Sequence, residues 1–262
     1  MSRLPFSLLL YASCSLGQVF DHTHQSWDAL LKNHVEVLSG GHASRVRYDG
    51  FARERQVLKA YLDALSGVGE AEFSAWSKAR RAAFLINAYN GFMIEKILTR
   101  YPDLASVRDF GRIFGDPFKH EFFFLFSRKT SLNQIEHGML RKPGAYDEPR
   151  VHFALNCASV GCPMLREESY VAERLDAQLE DQALRFLSDR SRNRVQGGRL
   201  EVSRIFDWYR EDFGVRERYF SRYARQLTDI PAERDPVLEG KLPVTFLDYD
   251  WTLNASPSSS RR

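Results

Sequence analysis

The sequence predicts an α+β fold in one domain, with several helices packed on a small, mostly antiparallel sheet. Three observations carry that reading. The run 82–98 is apolar at almost every position and too long for a strand, which marks a helix buried on most sides. Short β-branched and aromatic runs such as "EFFFLF" (121–126) alternate with turn residues. No internal repeat or linker divides the 262 residues, which suffice for one sizeable core.

The elements follow in order. "MSRLPFSLLLYASCSLGQVF" joins Arg3, an apolar run and small residues around Gly17, the plan of a secretory signal over 1–17 cleaved before Gln18. Tyr11 is a poor residue three places before Cys14, which disfavours a lipoprotein. The expectation is export to the periplasm or the medium, an oxidising setting in which disulfides must be weighed. Trp27, Leu30, Leu31 and Val35 then repeat at helical spacing. His22 and His24 are expected to be solvated, since no cysteine or acidic cluster completes a metal set around them. A second helix spans 54–66, and the buried helix 82–98 stops before Pro102. Asn87 and Asn90 interrupt its apolar run three apart, so two amides share a face and need partners. The bland reading has them bracing irregular backbone; the sharper one makes that backbone the active loop.

Ser131 and Gln134 fit a capping box opening "SLNQIEHGMLR". Residues 151–157 read as a strand and 172–188 as an amphipathic helix. "RVQGGRLEV" reads as a hairpin with a Gly-Gly turn. "SRIFDWYREDFG" and 216–227 read as helices, "VTFLDYDW" as a last strand, and 255–262 as a disordered tail. The folded domain therefore covers 18–254. With 37 basic and 34 acidic residues spread along the chain, the formal charge of +3 gives no case for nucleic acid. Beyond the leader, no apolar run reaches the roughly 20 residues of a membrane span. Nothing calls for a metal or other cofactor, and oligomeric state is not legible.

"VHFALNCASVGCPMLR" (151–166) concentrates the chemistry, with Cys157 and Cys162 five apart. On a strand, His152 and Asn156 face away from Cys157. At about 3.3 Å per residue, His152 would also lie roughly 16 Å from it. The base is then expected elsewhere, at His137. The faces of an α-helix over 132–141 put Leu132, Ile135 and Met139 inward, with Glu136 at the core edge, where it needs a donor or a cation such as Arg141 or Arg150. Cys162 precedes Pro163, a favoured first helical position, so it reads as a helix N-cap whose thiol the amides would acidify. A free nucleophile and a Cys157–Cys162 disulfide stand as equal readings.

In order, "AFLINAYNGFMIEKIL", "SLNQIEHGMLR", "PRVHFALNCASVGCPMLR", "IFDWYREDFG" and "LDYDWTLN" resemble the family catalogued as domain of unknown function 547, over Trp27 to Asn254. Phe118 stands where that family usually has tryptophan, which would reshape a pocket wall. The Cys, His and carboxylate set is similar to those of papain- and transglutaminase-type enzymes. Those enzymes, however, start a central helix with the nucleophile, and helix 82–98 holds no cysteine.

Two functions follow. In the first, a thiol hydrolase or acyltransferase acts on amide or peptide-like substrates. Cys157 attacks, His137 moves the proton, Glu136 orients it, and the amides of 158–161 hold the oxyanion. In the second, a non-catalytic module binds a small molecule or peptide. Its Cys157–Cys162 disulfide fixes a recognition loop, and Trp208, Tyr209 and Trp251 line the cleft.

Overall fold

A computed structural model describes residues 19–111 and 115–257. The expected signal over 1–17, with Cys14, lies outside them, as do residues 258–262.

The N-terminal half is helical: α1 (Gln25–His34), α2 (Tyr48–Arg53), α3 (Arg55–Ser66), α4 (Glu70–Ala75) and α5 (Lys78–Leu98). Ser77 caps α5 by accepting the Arg80 amide, and its apolar run is buried from Ala82 to Ile94. This helix forms the axis of the larger core, against which Trp27, Phe51, Leu58 and Leu62 pack. Burying its two asparagines is tolerable only because both amides are bonded, as described below. His24 is not solvated as expected: it is 2 % exposed, and its ring bonds the Tyr61 hydroxyl at 2.8 Å.

The strands form three separate small sheets rather than one. The pairs β1–β2 (Val35–Val37 with Ser44–Val46) and β3–β4 (Phe123–Leu125 with Arg128–Thr130) are antiparallel hairpins. In the third sheet, β5 (Arg194–Gln196) and β6 (Arg199–Val202) are antiparallel, and β7 (Val244–Phe246) joins β6 in parallel. Gly197 and Gly198 both have positive φ, as a tight hairpin turn requires. The fold is α+β, as predicted, with helix predominating.

Two predicted elements change character. Residues 151–157 are not a strand: Val151–Ala154 is a helical turn, α6, and only the residues after it are extended. The amides of Val151, His152 and Phe153 bond back to Glu148, Pro149 and Arg150, a local turn that overrides the β propensity of "VHF". Gln134–Leu140 is a π-helix, closed by the Arg141 amide on the Glu136 carbonyl. The wider turn shifts the expected face: Leu132 and Ile135 are buried as expected, but Glu136 and Leu140 join them while Met139 is only partly buried.

A second core gathers Phe153, Phe186, Phe206, Phe213 and Phe220 between α7 (Leu175–Leu187), the third sheet, α8 (Ile205–Trp208), α9 (Arg216–Arg222), α10 (Ala224–Leu227) and α11 (Pro231–Leu238). The α6 turn sits on the seam, giving Phe153 to this core and Ala154 to the larger one. The chain end then crosses the seam. Val160 and Gly161 donate to the carbonyls of Thr252 and Asp250, both at 2.8 Å, and Asn254 donates to Ala158. Residues 255–257 are not a tail: Ala255 bridges Val46, and Ser256 donates to Val46.

Candidate active site

The backbone after α6 is held from below by amides. Asn90 donates to the Ala154 carbonyl at 2.9 Å and accepts the Asn156 amide at 2.9 Å. Asn87 clamps the Tyr170 backbone in the same two-sided way, at 2.7 and 3.0 Å. Asn156 continues the scaffold, donating to Pro163 and accepting from the Ala158 amide and the Asn254 side chain. Ala158 is fully buried at φ 63°, a left-handed conformation costing about 1–2 kcal/mol in a residue with a Cβ. These bonds hold that strained residue immediately beside Cys157.

The strain reverses the chain so that the next residue faces back on the sulfur. Ser159 Oγ lies 2.9 Å and Tyr249 OH 3.2 Å from Cys157 Sγ. The Ser159 amide and the Cys162 thiol also donate to it. Burial alone would raise the Cys157 pKa, but the hydrogen bonds from Cys162, Ser159 and Tyr249 prevail and bring it to about 7. The Cys162 thiol moves the opposite way, well above its ordinary value, because it is buried and faces a neighbouring thiolate. Both thiols are free. The expected N-cap at Cys162 is absent, since no helix starts at Pro163, and the acidified thiol is Cys157. Tyr249 is delivered by close approach: a Cβ on Gly161 would stand 2.9 Å from the Asp250 amide nitrogen and 3.0 Å from the Tyr249 ring.

The opposite wall is charged. Asp212 accepts from His152 Nε2 at 2.6 Å and from Arg141 Nε at 2.5 Å, and Arg141 also pairs with Glu211. Burial would raise the Asp212 pKa, yet bonds from His152 and Arg141 hold it at about 2. His152 is 4 % exposed and stacks on Tyr209 with ring centroids 4.0 Å apart. Burial lowers the pKa of His137, and its Nδ1 meets Arg141. Glu136 accepts the Tyr209 hydroxyl.

Between the walls lies a cavity of about 240 Å³. It is lined by Cys157, Cys162, Glu136, His137, His152, Phe118, Trp208, Tyr209 and Trp251, all read from the sequence, and by Tyr89 and Tyr249. Asn87, Asn90 and Asn156 stand behind the loop as braces.

Four expectations are corrected. His152 shares the cavity with Cys157, because a helical turn replaces the strand that would have separated them. Glu136 pairs with neither Arg141 nor Arg150; Arg150 is taken by Glu148, Asp176 and Glu180. The carboxylate on an imidazole is Asp212 on His152, not Glu136 on His137; Glu136 accepts from the Tyr209 hydroxyl. The amides of 158–161 cannot hold an oxyanion, since those of Ala158, Val160 and Gly161 bond other groups and that of Ser159 bonds the sulfur. Ser159, Asp212 and Tyr249 were not read from the sequence; for Ser159 the two-residue spacing from Cys157 was the available signal. Among the described residues, no three His, Cys, Asp or Glu side chains are placed to share a metal ion, and no helix is long and apolar enough to cross a membrane.

This loop, with its two thiols and its asparagine braces, lies within a segment that is similar to a known family. Residues 73–187 match the family model described as "Protein of unknown function, DUF547". The resemblance to DUF547 therefore holds over α5, the π-helix and the Cys157 loop, while "IFDWYREDFG" and "LDYDWTLN" lie beyond the matched segment. Comparison with curated proteins and with solved structures yields no match. The matched segment holds Cys157, Cys162, His137 and His152, whereas Asp212 and Tyr249 come from the chain that follows it.

Proposed function

We propose that this chain is a cysteine-dependent hydrolase or acyltransferase acting on amide or peptide-like substrates. The observation that carries the reading is the acidified Cys157 sulfur, open to a cavity that is also lined by His152, whose ring is bonded to the Asp212 carboxylate. The thiolate attacks the carbonyl carbon, and the proton Cys157 has lost is held on His152. Among the described residues, no imidazole hydrogen-bonds the sulfur, so the thiolate is maintained by neutral donors, and His152 serves the leaving group. It gives its proton to the departing amine, then takes one from the water or other nucleophile that releases the acyl group. Asp212 holds the ring throughout. The Tyr249 hydroxyl, which burial and the Cys157 charge keep protonated, follows the negative charge from sulfur to the tetrahedral oxygen. His137 lines the same cavity and is a second proton carrier.

We place this activity in an exported protein on the signal-like plan of residues 1–17. Mass spectrometry of protein from the cell envelope should find a start near Gln18; intact residues 1–17 would reject that placement.

Alkylation tests the chemistry. Iodoacetamide should modify Cys157 with a pH midpoint near 7, below the ordinary thiol value of 9.0. His152→Ala should leave alkylation in place and abolish turnover. A specific observation keeps a disulfide-fixed binding module in contention: the Cys157 amide lies 2.9 Å from Cys162 Sγ, so the thiols are neighbours. Quantitative isolation of a Cys157–Cys162 disulfide that native-compartment reductants do not open would sink the catalytic reading.

A further inference from the structure

Glu136 is 8 % exposed and lines the cavity, and the mechanism above gives it no role. A carboxylate taken out of water is costly unless a cation or several donors compensate it. Its bonded neighbour is the neutral Tyr209 hydroxyl. Arg141, the guanidinium on that wall, is committed to Asp212 and Glu211. The other lining carboxylate, Asp116, has Lys119 at 3.7 Å. Among the described residues, Glu136 has no cation within ion-pair distance.

The walls around it are aromatic: Tyr89, Phe118, Trp208, Tyr209, Tyr249 and Trp251. Ring faces attract cations, and two already do so here. Arg141 lies 4.7 Å from the Tyr209 centroid and Arg108 lies 4.5 Å from that of Trp251. An anionic ligand would meet two negative groups, Glu136 and the Cys157 thiolate, against the single positive charge of the His152 ring, which Asp212 already balances. At about 240 Å³, the space is smaller than the roughly 300–1,000 Å³ of pockets for drug-sized molecules, so it admits one small residue of a substrate.

We infer that the substrate presents a protonated amine to Glu136, as an amino acid or peptide with a free amino group does, and that the aromatic walls enclose this ammonium group. The inference rests on the thiol-acyl reading above and names its substrate class.

Three methanethiosulfonates of graded charge provide the test: the neutral methyl, cationic 2-aminoethyl and anionic 2-sulfonatoethyl reagents. Rates at Cys157, assigned by peptide mapping, are divided by those with 2-mercaptoethanol. The cationic-to-neutral ratio should exceed the free-thiol ratio by about tenfold, as a nearby uncompensated charge in a partly desolvated site implies. Glu136→Gln should return it toward the free-thiol value. The ratio is the readout because a general change in thiol reactivity cancels from it. A ratio equal to that of the free thiol, or a preference for the anionic reagent, overturns the inference. Failure of the neutral reagent to modify Cys157 would instead strike the nucleophile reading itself. Should Glu136→Gln not fold, wild-type protection supplies the answer. n-Butylamine should slow the neutral reagent at Cys157 where n-butanol does not, and equal effects of the two reject an ammonium site.

Discussion

On the loop side of the cavity, the backbone around Cys157 is held by neutral amides: Asn90 on Ala154 and Asn156, and Asn156 on Ala158 and Pro163. On the opposite side, His152 is held by charge, through Asp212, Arg141 and Glu211. Under the proposed mechanism the two walls have different tasks. The Cys157 sulfur is acidified by neutral donors, which lower a thiol pKa as a neighbouring cation also does. A proton carrier needs a carboxylate that stays ionised across the working pH range, and Asp212, held at about 2, does. Buried amide bonds depend on geometry and hardly on salt, whereas a partly exposed ion pair depends on both.

The contrast can be broken by mutation, and the largest effect is expected on the amide side. Asn90→Leu removes a donor and an acceptor from buried backbone, which should cost about 2–4 kcal/mol in denaturant unfolding, equally at low and high salt. It should also return Cys157 alkylation to an ordinary thiol's pH profile, as Ala158 relaxes. Asn87→Leu, which frees Tyr170 rather than the loop, should cost about 1–3 kcal/mol and leave alkylation in place. If both variants behave alike, Asn90 has no special hold on the thiol.

A smaller effect is expected from Asp212→Asn, about 1–2 kcal/mol at low ionic strength, because the carboxylate is partly exposed. That loss should shrink in 1 M salt, where the Debye length falls to about 3 Å. The sign of the pH dependence is set by a folded pKa held below 3.8. The Asp212 contribution is present above pH 3.8 and disappears as pH falls toward 2. A salt-independent loss would erase the distinction between the walls.

Smallest in stability, within about 1 kcal/mol, should be Tyr249→Phe, which removes a single donor from the sulfur. Its signature is kinetic: the alkylation midpoint moves up from about 7 while unfolding hardly changes. An unmoved midpoint would leave Ser159 and Cys162 as the groups that acidify Cys157.

Much of the amide wall was legible, because polar residues inside an apolar helical run must find partners, and Asn87 and Asn90 find them in irregular backbone. Glu136 was expected at a core edge with a cation such as Arg141 or Arg150, and is buried on the Tyr209 hydroxyl instead, since a π-turn does not keep the angles of an α-helix. The α6 turn was missed because Val151 and Phe153 favour strands, and only the backbone bonds to Glu148, Pro149 and Arg150 decide otherwise. Asp212 and Tyr249 lie 60 and 92 residues from their partners His152 and Cys157. No local pattern could announce contacts of that range.

The position of Tyr249, 92 residues after Cys157, also sets an order of events. A ribosome completes Cys157 long before it completes residues 249–254, the stretch that pins Ala158, Val160 and Gly161 and brings the hydroxyl to the sulfur. Until that stretch docks, the growing chain carries a thiol without its full set of donors, less acidic and slower with electrophiles. The donor set around the Cys157 sulfur is therefore complete only once residues 249–254 have docked on the loop.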